Sequence, residues 1–152
     1  SAEQLETVRN ACRWPPAGTR GVGFSRANLF GKHFDAYAEE AQSPLLVAMI
    51  EHIRAVDNLE AILQVQGLDA ILIGPYDLSA SMGMTAQFEM PEFMAAMERI
   101  RNCCRQHSIP CGVHVVTPDA GVLEQRIAEG YRFIAYSIDA VFLTLSAPSP
   151  LS

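Results

Sequence analysis

Leu45-Leu46-Val47-Ala48-Met49-Ile50-Glu51 and Ala70-Ile71-Leu72-Ile73-Gly74-Pro75-Tyr76-Asp77 are the two stretches that decide the fold. Each is an apolar run of strand length that ends in one carboxylate. Between them Val56, Leu59, Ile62 and Leu63 recur at helical spacing. Strand, helix and strand in that order specify a parallel βαβ unit. In a parallel α/β sheet the carboxyl ends of neighbouring strands lie side by side, and ligands bind there. Glu51 and Asp77 are therefore expected to converge at one rim, where two bare carboxylates repel unless a cation lies between them. Two oxygen donors with open positions suit a hard divalent ion that keeps several waters, Mg²⁺ or Mn²⁺.

The same alternation continues outward. Glu3 to Arg13 reads as a helix, stopped by Trp14-Pro15-Pro16-Ala17-Gly18. Gly21 to Ser25 is too glycine-rich for a strand and reads as a loop, and Lys32 to Ala41 as a short helix. The first strand spans Pro44–Glu51, the helix after it Val56 to Val65, and the second strand Ala70–Gly74, which runs through Pro75-Tyr76-Asp77 into a Ser/Gly/Met loop. A helix starts at Pro91, a favoured first-turn residue, and reaches His107. Strand Cys111–Val116 leads to a helix that begins near Pro118-Asp119 and is closed by Gly130. Strand Phe133–Ser137, an apolar turn and a Pro/Ser tail complete the chain. Four strands alternating with helices make a parallel βα repeat, and residues 1–152 read as a single domain with no internal linker.

Composition narrows the function. The 152 residues are 49% hydrophobic, enough for one sizeable core. A net charge of −6, with no cluster of Lys and Arg, argues against nucleic acid and anionic membrane as partners. No apolar run is long enough to span a bilayer, and Ser1-Ala2-Glu3-Gln4 does not open a secretory signal. The four cysteines include no C-x-x-C pair, so zinc and thioredoxin-like readings fail and reduced thiols in the cytoplasm are expected.

Three motifs carry a resemblance: Arg20-Gly21-Val22-Gly23-x-Ser25-Arg26-Ala27-Asn28-x-Phe30-Gly31, then Ile50-Glu51, then Gly74-Pro75-Tyr76-Asp77-Leu78-Ser79, with 26 residues from Glu51 to Asp77. In order and spacing they resemble the class II, metal-dependent pyruvate aldolases of the HpcH/HpaI family, and the likeness runs from the first helix to Asp139-Ala140-Val141-Phe142. The resemblance implies a TIM-type (β/α)₈ barrel, of which this chain would be the C-terminal half, about four βα units. It implies cleavage or formation of 4-hydroxy-2-oxoacids through a pyruvate enolate, with pyruvate or another 2-oxoacid and an aldehyde as substrates. Glu51 and Asp77 become the ligands of a divalent cation, Mg²⁺ or Mn²⁺, with Co²⁺ a third candidate. Gly74, Pro75, Tyr76 and Asp77 become the substrate-binding turn, whose backbone N–H groups would hold a carboxylate. The Arg that stabilises the enolate and the His associated with proton transfer belong to the family's N-terminal half and have no counterpart here.

Two residues depart from the family pattern. Met49 shares the strand face of Glu51, where relatives usually carry Gln, and a thioether is a poor ligand for Mg²⁺. His114 stands where relatives are apolar and face the substrate, either as a substrate contact and candidate base or as a histidine satisfied by a nearby carbonyl. Asp77 on its own also fits a helix N-cap or a solvated loop. His52, His33 and His107 read as structural or surface residues, Arg26 as a rim residue or a salt-bridge partner, and Met82-Gly83-Met84 as a lid or pocket wall. Set against the aldolase are a catalytically inactive half-barrel, serving as an assembly or regulatory piece, and a C–C lyase of the citrate-lyase β type. The half-barrel leaves two open sheet edges and an interior face expected to include Val47, Ile71, Ile73 and Val113 or their neighbours. Pairing with an N-terminal half-barrel, or as a homo-oligomer, follows from that exposure.

Overall fold

The four strands pair in chain order into one parallel sheet, β1 (Val47–Ile50), β2 (Ala70–Ile73), β3 (Cys111–Val115) and β4 (Phe133–Tyr136). The computed structural model describes residues 1–147. Before the sheet come α1 (Ala2–Cys12) and α2 (Phe34–Glu40). Between strands lie α3 (Ile53–Asp57) and α4 (Leu59–Leu63), then α5 (Pro75–Ser81) and α6 (Pro91–Gln106), then α7 (Ala120–Ala128), with α8 (Asp139–Ser146) last. The result is four βα units of a parallel α/β fold.

Register decides which face is which. Ile50 lies opposite Ile73, Ile73 opposite Val113, and Val113 opposite Ile134. Because successive side chains alternate, Ile50, Ile71, Ile73, Val113 and Val115 share one face, and they are buried against Leu59, Phe93, Met97 and Ile100 of the helices. Removing each such side chain from water stabilises the fold by about 1.5–3 kcal/mol. Val47, Met49, Leu72, Gly112, His114, Phe133 and Ala135 share the opposite, more open face, where Val47 is 39% and Met49 55% exposed. Of the residues expected on this open face, Val47 is there, while Ile71, Ile73 and Val113 give way to the strand neighbours that the expectation also allowed, Leu72, Gly112 and His114. An apolar run does not say which parity faces the helices, and a shift of one residue exchanges the two sets.

Three elements also differ from the sequence reading. The helix expected over Val56 to Val65 starts at Ile53 and breaks at Asn58, whose Nδ2 donates to the Arg54 carbonyl at 2.7 Å and so competes with the helical ladder. Pro75 to Ser81 is a helix, not the start of a loop. Pro75 supplies the preset φ of a first turn, and Leu78 N–H donates to the Gly74 carbonyl at 3.0 Å. The apolar turn after β4 is α8, whose first peptide is held by Ala140 N–H donating to Asp139 Oδ1 at 2.7 Å. The Pro/Ser tail from Pro148 lies outside the described residues. Among the described residues no helix is long and apolar enough to cross a membrane.

Candidate metal and substrate site

Glu51 is the first residue past β1, and Gly74 the first past β2. Gly74 N–H donates to the Ile50 carbonyl at 3.1 Å, so the parallel ladder extends one step beyond the strands and brings the two residues level. Their contact is close. A Cβ built on Gly74 would sit 3.3 Å from Glu51 Cβ, 3.5 Å from Glu51 Oε2 and 3.8 Å from Met49 Sδ. The missing side chain therefore leaves room beside the carboxylate, which the sequence reading of Gly74-Pro75 as a substrate-binding turn did not contain. The thioether of Met49 stands at the same spot, as strand alternation requires.

Asp77 follows three residues after Gly74, in the first turn of α5. Gly74 is the N-cap of that helix, so Asp77 is neither an N-cap nor a loop residue. Among the described residues no hydrogen bond and no ion pair engages the side chain of Asp77 or Glu51, and both are exposed. Two uncommitted carboxylates thus stand on consecutive βα units at one rim of the sheet. No group of three or more His, Cys, Asp and Glu able to hold a metal occurs among the described residues. A cation here would take two protein oxygens and complete its shell from water and substrate, as hard divalent ions do. The donor set fits such an ion and does not fit zinc.

Two serines hold the rim in shape. Ser81 Oγ accepts from Ile53 N–H at 2.9 Å and donates to the Leu78 carbonyl at 2.7 Å, tying the segment after Glu51 to the helix that carries Asp77. Ser79, fully buried, donates to the Tyr76 carbonyl at 2.8 Å and accepts from Ala86 N–H at 3.0 Å, fixing the first turn of α5 and the loop beyond it. Neither role shows in the sequence, because Ser81 meets its partner 28 residues away. The Tyr76 and Asp77 N–H groups belong to the helix's first turn and have no acceptor in their own helix. The Tyr76 ring packs edge-on to Phe88, centroids 5.0 Å apart, and makes a wall at this rim.

His114 lies opposite Ala135 on the open sheet face, one strand beyond Gly74 and in the same row. Two strand spacings place its backbone about 10 Å from that of Glu51. Its Nε2 is buried without a hydrogen-bond partner, so the alternative of a histidine satisfied at that nitrogen by a carbonyl does not hold. His52 caps α3, its Nδ1 accepting from Arg54 N–H at 3.2 Å. Met82 and Met84 pack on the core, as a wall and not as a loose lid. Arg26 makes no ion pair among the described residues. The motif around it is organised instead by buried Asn28, which donates to the Gly23 carbonyl at 2.7 Å and accepts from Ser25 N–H at 2.9 Å and Gly31 N–H at 3.1 Å.

The chain is similar to known proteins in sequence and in fold. The family described as HpcH/HpaI aldolase/citrate lyase matches residues 1–144. A hydroxypyruvate/pyruvate aldolase of Roseobacter denitrificans is 37% identical over 147 residues, 94% of this chain and 56% of that protein. A 2-keto-3-deoxy-L-rhamnonate aldolase of Escherichia coli is 37% identical over 143 residues, 93% of this chain and 53% of the relative. Among solved structures, an HpcH/HpaI aldolase/citrate lyase family protein of Burkholderia cenocepacia superposes with a TM-score of 0.87 at 30% identity, over 96% of this chain and 58% of its own. The chain spans about half the length of the curated relatives it matches.

Proposed function

The chain belongs to the HpcH/HpaI aldolase/citrate lyase family, and from that premise we propose that it is the C-terminal half of a metal-dependent 2-oxoacid aldolase. The observation that carries this reading is the pair of uncommitted carboxylates, Glu51 and Asp77, at one rim with the open space of Gly74 beside them. The reaction is the cleavage or formation of a 4-hydroxy-2-oxoacid, with pyruvate or a related 2-oxoacid and an aldehyde as the partners. The names of the relatives support this substrate class. Four unpaired cysteines support a reducing, cytoplasmic setting.

Glu51 and Asp77 hold a divalent ion, Mg²⁺ or Mn²⁺. When bound, it supplies Lewis-acid stabilisation of the charge that develops on the oxoacid as the methyl proton leaves. The chain's own residues do the positioning. Gly74 keeps a side chain out of the space beside Glu51, and the N–H groups of Tyr76 and Asp77 are donors for the substrate carboxylate. Met49 lines the same space with a thioether and adds no hard donor. His114 borders it from the next strand as a substrate contact. The proton-transferring His and enolate-stabilising Arg come from an N-terminal half-barrel that also covers the open sheet face.

Deuterium exchange into the methyl group of pyruvate tests the reading. The chain together with its completing half should exchange the methyl protons in the presence of Mn²⁺, and Glu51→Gln should abolish the exchange. The isolated 152-residue chain should exchange near background. Full exchange in the Glu51→Gln protein would overturn the assignment of the site. Exchange by the isolated chain would show that a residue of this chain serves as the base, with His114 the first to substitute.

A further inference from the structure

The metal and substrate site occupies the carboxyl ends of the strands and leaves the opposite end of β3 unused. There a cavity of about 450 Å³ opens to solvent, the size of a site for a small metabolite. Two tight turns wall it. On one side α6 passes into β3 through Ser108, whose φ is 58° and whose N–H donates to the Arg105 carbonyl at 3.2 Å. Ile109 N–H closes that turn on the Cys104 carbonyl at 2.9 Å. On the other side α7 passes into β4 through Gly130, at φ of 91°, whose N–H donates to the Ile127 carbonyl at 3.0 Å. Arg132 N–H donates to the Cys111 carbonyl at 2.8 Å, which ties the exits of the two turns together.

The lining is charged in one sense. Arg101 and Arg105 come from α6, one turn apart, and Arg132 is the residue before β4. Among the described residues Glu129 is the only carboxylate on the wall. Both of its oxygens are engaged: Arg101 lies 3.2 Å from Oε2, Arg126 donates to Oε1 at 2.9 Å and to Oε2 at 2.8 Å, and Gln125 Nε2 donates to Oε1 at 2.8 Å. Arg101 is also seated over the Tyr131 ring, 5.7 Å from its centroid. Arg105 and Arg132 are exposed and make no ion pair and no side-chain hydrogen bond among the described residues. Three guanidiniums against one saturated carboxylate leave an excess of two positive charges on the wall, in a chain whose net charge is −6. The carbonyl ends of α6 and α7 offset about half a charge each, and the cavity stays positive.

We propose that this cavity binds a small metabolite through a phosphate group, held by Arg105 and Arg132 with Arg101 as the third cation. A guanidinium fork meets two oxygens of an oxyanion at once, and Arg105 and Arg132 have both forks uncommitted. A phosphate monoester brings three acceptor oxygens and nearly two negative charges at neutral pH, enough for three cations and the excess they leave. A single carboxylate brings two oxygens and one charge. The Ser108 hydroxyl lies on the same wall without a hydrogen bond among the described residues and supplies a further donor. The five residues of β3 span about 16 Å, so this site is separate from the rim of Glu51 and Asp77 and does not depend on the assignment made there. Its ligand is an effector at the amino ends of the strands, distinct from the oxoacid.

Calorimetric titration of the whole protein with glycerol 3-phosphate, in metal-free buffer of low ionic strength, tests this. Binding at one site is expected, weakened about tenfold or more by Arg105→Ala and by Arg132→Ala. Arg132→Lys keeps the charge but loses the fork and should also bind more weakly than the parent. Arg54→Ala removes an exposed, unpaired cation on α3 and should bind as the parent does. In the unsubstituted protein the same ligand should shield Arg105 and Arg132, and not Arg54, from phenylglyoxal, as read by peptide mass. That measurement decides the matter even if a variant does not fold. No binding by the parent, equal losses in Arg54→Ala and Arg132→Ala, or binding without shielding would overturn the proposal. Malonate bound as tightly as glycerol 3-phosphate would overturn the assignment to phosphate.

Discussion

Replacing Asp77 by Asn should leave the unliganded fold nearly as stable as before and remove most of the stabilisation that a divalent ion confers. Asp77 is exposed, caps nothing and engages no partner, so its loss costs only its favourable place in the first turn of α5, about 0.3–1 kcal/mol. The effect on cation binding is larger. At 4 Å in water two unit charges attract by about 1 kcal/mol, hence about 2 kcal/mol for a divalent ion, a loss of roughly thirtyfold in affinity. At a Mn²⁺ concentration of about 100 times the parental Kd, binding stabilises the parent by about 2.7 kcal/mol and the variant, at only about three times its own Kd, by about 0.8 kcal/mol. For a chain of 152 residues those values correspond to Tm increases of about 8 °C and 2–3 °C. Scanning calorimetry of both proteins with and without Mn²⁺ measures the difference. Asp57→Asn is the control, since Asp57 is an exposed carboxylate 4.0 Å from Arg99 and away from the rim, and that variant should keep the full shift. Equal Mn²⁺ shifts in the parent and in Asp77→Asn would refute the reasoning, and so would an equal loss in Asp57→Asn.

Three further outcomes are expected. Gly74→Ala places a methyl 3.3 Å from Glu51 Cβ and 3.5 Å from Oε2 on an extended backbone any residue adopts, so stability should change by less than about 0.5 kcal/mol while Mn²⁺ affinity falls in calorimetric titration; unchanged affinity would count against the cradle. Tyr131 is buried with its hydroxyl unpartnered, and burial pushes the phenol far above its ordinary value of 10.0. Above that pH the unfolded chain releases the proton and the folded one retains it, so the folded state binds more protons and stability falls as pH rises. Tyr131→Phe should therefore flatten the alkaline loss in urea unfolding, and near neutrality it should equal or exceed the parent by up to about 1 kcal/mol; an unaltered pH slope would contradict this. Gly112→Ala drives a methyl into the Phe133 ring on the neighbouring strand, and urea unfolding should show a loss of about 1–3 kcal/mol that Phe133→Ala in the same chain relieves; no relief in the double variant would place the strain elsewhere.

The strands were readable from sequence because each is an apolar run closed by a residue that cannot continue it or need not, Glu51 after β1 and Gly74-Pro75 after β2. The positions of Glu51 and Asp77 just past β1 and β2 were readable for the same reason. A charged residue just past a strand of a parallel sheet has only the rim to occupy, and βα succession puts consecutive rims together. The faces were not readable. Ile71, Ile73 and Leu72 are equally apolar, and only pairing with β1 and β3 and the seat of α6 decide that Ile71 and Ile73 lie beneath the helices. α5 was missed because Pro-Tyr-Asp-Leu-Ser-Ala-Ser carries the residues of a turn, and seven residues are too few for a helical period to declare itself.

What remained hidden shares one property: it depends on contacts between segments. Ser81 is an ordinary helix-end serine until Ile53 N–H arrives from the previous βα unit, and that bond ties the segment after Glu51 to the helix of Asp77. Gly74 is an ordinary turn glycine until the ladder sets Glu51 and Met49 beside it. The carboxylates could be named from spacing, but the gap between them depends on the tertiary contacts of Ser81 and Gly74 and on the β1–β2 register. Loosening that gap should therefore impair the site without touching either ligand. A Ser81→Ala protein keeps both carboxylates and loses the oxygen that holds Ile53 N–H, leaving a part-buried donor without its partner. Its Mn²⁺ affinity should fall although no ligand has changed, and affinity equal to the parent's would show that the two rims are positioned by the sheet alone.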